Sequence, residues 1–115
     1  MSIPEAQAAL LARIRALLPP DAALREVSMF GGRALMLEGR MLVSAGKDGS
    51  LLVRIDPSWH GELLEHPGAG PAMMGAARPM GEGWITVDAA ALAEDAPLAE
   101  WIETARRFHE EQRRS

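Results

Sequence analysis

Apolar residues recur at three- and four-residue spacing from the start of the chain: Ile3, Ala6, Leu10, Ile14, Leu17 and Leu18, with Arg13 and Arg15 to one side. That period predicts an amphipathic helix. Ser2 followed by Glu5 matches a capping box for its first turn, and Pro19-Pro20 ends it, since neither can continue the hydrogen-bond ladder. From Leu24 to Ile55 the pattern shortens. Leu24–Phe30, Ala34–Glu38, Met41–Ala45 and Leu51–Ile55 are short apolar segments punctuated by Gly31-Gly32, Gly39 and Gly46-Lys47-Asp48-Gly49-Ser50. Glycine supplies the positive φ of tight turns, and connections this short cannot make parallel crossovers. The expectation is four strands in an antiparallel meander.

Asp56-Pro57 reads as an N-cap followed by proline at the first helical position, opening a short helix to Glu65. The run Pro67-Gly68-Ala69-Gly70-Pro71 breaks it. Two more strands are expected near Ala72–Ala76 and Trp84–Val87, joined by a turn over Arg78–Gly83. A final helix starts around Asp95-Ala96-Pro97, with Leu98, Trp101, Ile102, Ala105 and Phe108 on one face. Arg106, Arg107, Arg113 and Arg114 sit where cations favour a helix C-terminus, and the tail beyond Phe108 is expected to fray. The order α-ββββ-α-ββ-α predicts an α+β fold, with helices packed on an antiparallel sheet of five or six strands. It forms one domain over residues 1–115, with its core at about 5–108.

Composition narrows the chemistry. A chain of 115 residues closes one modest core without staples, and the lack of cysteine excludes thiol nucleophiles, thiolate zinc sites and disulfides. Twelve basic residues against sixteen acidic give a net charge of −4, which argues against wrapping a nucleic-acid backbone. No direct nucleic-acid binding is expected. The acidic excess lies in the second half and suits solubility better than a basic partner. With no basic leader and no apolar run of about 20 residues, a reduced cytoplasmic location is the default and no membrane contact is expected.

Catalytic motifs fail one by one. Gly46-Lys47 is followed by Asp48 rather than Ser or Thr, and Gly68-Ala69-Gly70 by Met73 where a dinucleotide loop needs glycine. His60 and Glu62 are two apart and diverge on a helix, His66 precedes Pro67, and His109 stands alone, so no metal-ligand set is expected. Ser28, Ser44, Ser50 and Ser58 lie in no nucleophile elbow. The neighbours Glu94-Asp95 and Glu110-Glu111 point apart, and the first pair suits a helix cap. Met29, Met36, Met41, Met73, Met74 and Met80 fall almost wholly in sheet segments. They suit core filling, with an adaptable partner groove as the sharper alternative. Trp59, Trp84 and Trp101 read as core or interface anchors.

Met29-Phe30-Gly31-Gly32 before a strand, Leu52-Val53-Arg54-Ile55-Asp56 opening a helix, and Arg78-Pro79-Met80 before Trp84-Ile85-Thr86-Val87 form a set. Leu98-Ala99-Glu100-Trp101-Ile102 completes it in the last helix. Together they resemble the TfoX/Sxy N-terminal domain family over about residues 5–108. The resemblance implies a bacterial cytoplasmic α+β domain of the secretion-chaperone-like kind, with no catalytic residue and no cofactor. The family name comes from regulators of natural competence that look like protein-level coactivators of a cyclic-AMP-responsive transcription factor. Those regulators carry a second, helical domain, and 115 residues leave room only for the first, so a stand-alone domain is expected.

Read from their own chemistry, the motif residues are structural. Gly31-Gly32 permits a sharp turn or bulge, and Phe30 fills the core at that corner. Arg54 and Asp56 share a strand face, where an ion pair is the simpler reading and an anion site on Arg54 the alternative. Arg78, on its turn with Pro79 and Met80, supports a binding surface together with Phe30 and Arg54. The functional expectation is a non-enzymatic regulatory or protein-interaction module with a protein partner or a second copy of itself. The alternative is a small ligand-binding protein or enzyme, with a pocket between sheet and helices where Arg54, Asp56, Arg78 and His60 converge.

Overall fold

The computed structural model describes residues 4–19, 23–29, 32–73 and 78–114. Helix α1 (Glu5–Leu17) leads into the meander β1 (Leu24–Met29), β2 (Gly32–Leu37), β3 (Arg40–Ala45) and β4 (Leu51–Arg54). A 3-10 turn (Pro57–Trp59) and α2 (His60–Leu63) follow, then β5 (Ala69–Pro71) and β6 (Trp84–Val87). A second 3-10 turn (Ala89–Leu92) precedes α3 (Asp95–Arg114). The six strands form one sheet in the order β1-β2-β3-β4-β6-β5, with every pairing antiparallel. The expected α+β class and element order are both found. No helix among the described residues is long and apolar enough to cross a membrane.

Strand alternation gives the sheet two unlike faces. In register across the strands, Leu35, Val43, Val53 and Ile85 form one buried row, and Ala45, Leu51 and Val87 form the next. Both rows meet Leu10, Leu11 and Ile14 of α1 and Leu98, Trp101, Ile102 and Ala105 of α3 in one core. Each such side chain contributes about 1.5–3 kcal/mol by leaving water. The intervening row, Ala34, Ser44, Leu52, Thr86 and Gly70, points to the opposite face, away from the helices.

Several expectations need correction. α1 begins after Pro4, whose φ of −52° suits a helix start, and no side chain among the described residues caps it. Ser2 of the expected capping box, and Ile3 of the stripe, lie outside the described residues. The buried stripe is Gln7, Leu10, Leu11, Ile14 and Leu18, while Ala6 and Leu17 are exposed. The helix is turned by a buried polar contact: Gln7 Nε2 donates to the Ala45 carbonyl at 2.8 Å, which draws a polar residue into the core. The expected strand at Ala72–Ala76 is displaced. The pairing segment is Ala69–Pro71, inside the run taken as a breaker, because Gly68 (φ 77°) turns the chain onto β6 and accepts from the Asp88 amide at 3.0 Å. Pro71 is tolerated there at a sheet edge. Met73 makes only an isolated bridge to Pro79, and residues 74–77 lie outside the described residues.

The C-terminal turns do not fray. α3 continues to Arg114, and His109, expected to stand alone, is 4% exposed with Nε2 3.1 Å from Glu38 Oε1. Arg113 Nε approaches the same oxygen at 3.2 Å. Glu38 holds a left-handed φ of 53° beside Gly39 at 82°, so the β2–β3 turn is built to present this carboxylate to α3. The His109 hydrogen bond, then the Arg113, His109 and Arg40 charges, outweigh desolvation and hold the Glu38 carboxyl below its ordinary 4.5. A lowered folded value means this contact stabilises fully above about pH 4.5 and is lost as pH falls through that lower value. Glu38→Gln is therefore expected to flatten the acid limb of a stability-against-pH curve and leave the neutral limb parallel to wild type. Urea unfolding at a series of pH values measures both.

Candidate functional site

The sheet face away from the helices carries a hollow of about 590 Å³. Its floor is the polar-and-small row set by strand alternation: Ser44 of β3, Leu52 of β4 and Thr86 of β6, side by side in register. One wall is the β3–β4 turn with Lys47, Asp48 and Ser50. The other is Pro71 at the end of β5 with Ala72, Met73 and Met80 beyond it, where the Met80 amide donates to the Ala72 carbonyl at 2.8 Å.

The turn wall is rigid. Gly46 N–H donates to the Ser50 carbonyl at 2.8 Å, and Gly49 takes a φ of 86°. Asp48 Oδ1 accepts from the Ser50 hydroxyl at 2.7 Å and from the Ser50 amide at 3.0 Å, which together hold its carboxyl below the usual aspartate range. Ser44 is 3% exposed, lines the hollow and has no hydrogen-bond partner among the described residues; the Thr86 hydroxyl and the Lys47 ammonium have none either. Lys47 is the only lysine in the chain. Met73, at 47% exposure, is one of two large apolar side chains left open among the described residues. Unpaired hydroxyls beside thioether and leucine surface fit an amphipathic guest: hydroxyls can both donate and accept, and methionine repacks around irregular shapes.

Gly32, at the start of β2, also lines this hollow. A Cβ there would lie 2.7 Å from Ser44 Oγ and 2.9 Å from the Ala45 carbonyl oxygen, so only glycine lets β2 approach β3 at this point. Met80 joins it on the opposite wall. The remaining motif residues are scattered. Met29 ends β1 opposite Gly32 in the β1–β2 pairing, and Phe30 and Gly31 lie outside the described residues. Pro79 bridges Met73, and Arg78 is exposed and does not line the hollow. Among the described residues Arg54 and Asp56 form no ion pair. Asp56 caps the first 3-10 turn, accepting from the Ser58 amide and hydroxyl at 2.9 and 2.8 Å. The Arg54 guanidinium stacks 5.4 Å over the Phe108 ring, its pKa lowered by burial and then by Arg40. The chain turns after β4, so the two charges part. His60 begins α2, and among the described residues no hydrogen bond or ion pair joins Arg54, Asp56, Arg78 and His60, which were expected to converge.

Ser44, Leu52, Thr86, Lys47, Asp48 and Ser50 were not singled out as a site from the sequence. Their signal was present in the alternation: Ser44 and Thr86 interrupt otherwise apolar strands at positions that face away from the helices.

Comparison with protein families finds a match to the TfoX N-terminal domain over residues 17–109. No curated protein matches the chain, and no solved structure does.

Proposed function

The chain belongs to the TfoX N-terminal domain family, and from that premise we propose that it is a non-enzymatic regulatory module acting through protein contacts. Its partner presents a short amphipathic segment to the hollow on the helix-free sheet face. One observation carries this reading: exposed Met73 stands in the same 590 Å³ hollow as Ser44, whose hydroxyl has no hydrogen-bond partner among the described residues. An apolar guest side chain covers Met73, Met80 and Leu52, while its backbone satisfies Ser44 and Thr86. A non-catalytic role is supported by the state of the carboxylates, since Asp48, Asp56 and Glu38 are each committed to a structural hydrogen bond. Within this proposal the finer role is control of transcription for competence in the cytoplasm, as the family's name suggests. The second reading, a small-ligand site, rests on the same hollow, whose volume falls in the range of small-molecule pockets, about 300–1,000 Å³.

Leu52→Trp fills the hollow and is the test. Proteins captured from native cells by the wild-type chain are expected to drop at least about tenfold with Leu52→Trp. Arg107→Ala, whose guanidinium stacks on Trp59 away from the hollow, should retain them. Equal capture by wild type and Leu52→Trp would refute the docking site. A co-purifying small molecule lost from Leu52→Trp would support the second reading instead.

A further inference from the structure

The sheet ends on two strands that are unequally protected. β5, at one end, is three residues long and closes on Pro71, which has no N–H to offer. β1, at the other end, has six residues, pairs with β2 residue for residue from Leu24 to Met29 without a bulge, and contains neither proline nor lysine. Among the described residues nothing pairs with its outer side. A regular edge of this kind presents a row of backbone donors and acceptors that another strand can satisfy. Beside it lies a hollow of about 450 Å³ lined by Leu24, Arg25, Val27 and Met36.

The charges along β1 decide which strand fits. Glu26 is neutralised from within its own fold, with Arg15 Nη2 at 3.1 Å and Arg33 Nε at 3.5 Å. Arg25 is exposed and has no ion pair among the described residues. If β1 meets its own copy across a two-fold axis, residues opposite one another must point to the same sheet face, so the axis passes through a residue. An axis at Arg25 sets arginine against arginine, and an axis at Glu26 sets glutamate against glutamate; like charges directly opposite destabilise. An axis at Val27 sets valine against valine, Glu26 against Ser28 and Arg25 against position 29. It removes both like-charge pairs and keeps residues 25–29 of the strand in the ladder. Moving the axis to Ser28 leaves only 27–29 paired within the strand. Val27 shares the face of Ala34 and Met36, so the pairing also covers apolar surface.

We propose that β1 pairs antiparallel with β1 of a second copy about an axis at Val27, joining two six-stranded sheets into one. This contact is independent of the docking hollow, which Val27 does not line. Sedimentation velocity tests it with four samples: wild type, Val27→Lys, Val27→Glu, and an equal mixture of the two variants. Wild type is expected to reach twice 12.4 kDa as concentration rises, each variant alone to stay at 12.4 kDa, and the mixture to regain the doubled mass as lysine meets glutamate. Val27→Thr, which keeps a β-branched residue, should dimerise like wild type. Circular dichroism checks that each variant folds. Should Val27→Lys unfold, concentration-dependent hydrogen-exchange protection of the β1 amides in wild type reads the same contact. A wild type that stays monomeric at every concentration, or a doubled mass untouched by folded Val27→Lys, would overturn the proposal.

Discussion

Trp101→Ala is expected to destabilise the fold by about 3–5 kcal/mol, the cost of emptying a large aromatic site in a core that cannot fully collapse. Trp101 is 5% exposed, in the second turn of α3, and belongs to the apolar cluster that holds both long helices on the sheet. Its ring also meets His66 edge-on, with centroids 5.4 Å apart, so it ties the segment after α2 to α3. That contact is lost with the core filling. For a domain of this size the change corresponds to a fall in Tm of roughly 10–25 °C, read by calorimetry or thermal circular dichroism. A fall of only a few degrees would mean that α3 is held by its charged contacts rather than by the core.

Gly32→Ala is expected to cost about 1–3 kcal/mol even though it adds a single methyl group. Space decides this, since the added Cβ would stand 2.7 Å from Ser44 Oγ and 2.9 Å from the Ala45 carbonyl oxygen. The carbonyl already accepts from Gln7 at 2.8 Å, so pushing it away strains the one buried polar link between α1 and the sheet. Only one of the two close contacts is a side chain. Gly32→Ala combined with Ser44→Ala should therefore recover part of the loss, while Ser44→Ala alone should be near neutral because its hydroxyl has no partner among the described residues to lose. A double-mutant cycle by urea unfolding measures the coupling. Strict additivity would show that the Ala45 backbone accounts for the whole cost.

The sequence made the helix-facing side of the fold legible because burial enforces a period. Val43, Val53 and Ile85 could sit on no other face, and the meander followed from turns too short for crossovers. The errors share a cause in tertiary contact. Gln7 broke the apolar stripe of α1 because a carbonyl on β3 needed its amide. β5 lay in a run of glycine and proline because an edge strand tolerates what an inner strand does not. His109 anchored the last turns of α3 through Glu38, seventy-one residues away in the chain, and no local pattern records such a pair. The site was harder still. Arg54 and Asp56 were drawn together by their two-residue spacing, yet a cap and a cation–π contact separate them. The hollow instead uses short polar residues whose meaning depends on strand order. Among the described motif residues Gly32, Leu52, Met80 and Thr86 line it, Gly32 by having no side chain and Met80 by having a pliable one.

The most direct test of the docking account is methyl NMR of the chain with ¹³C-labelled methionine, titrated with a partner recovered by wild type and lost by Leu52→Trp. Binding in the hollow predicts that the Met73 and Met80 methyl signals shift together and saturate at one site per chain. Met41, buried in β3 outside the hollow, should stay in place. Unmoved Met73 and Met80 signals at saturation would place the contact elsewhere on the fold and contradict the account.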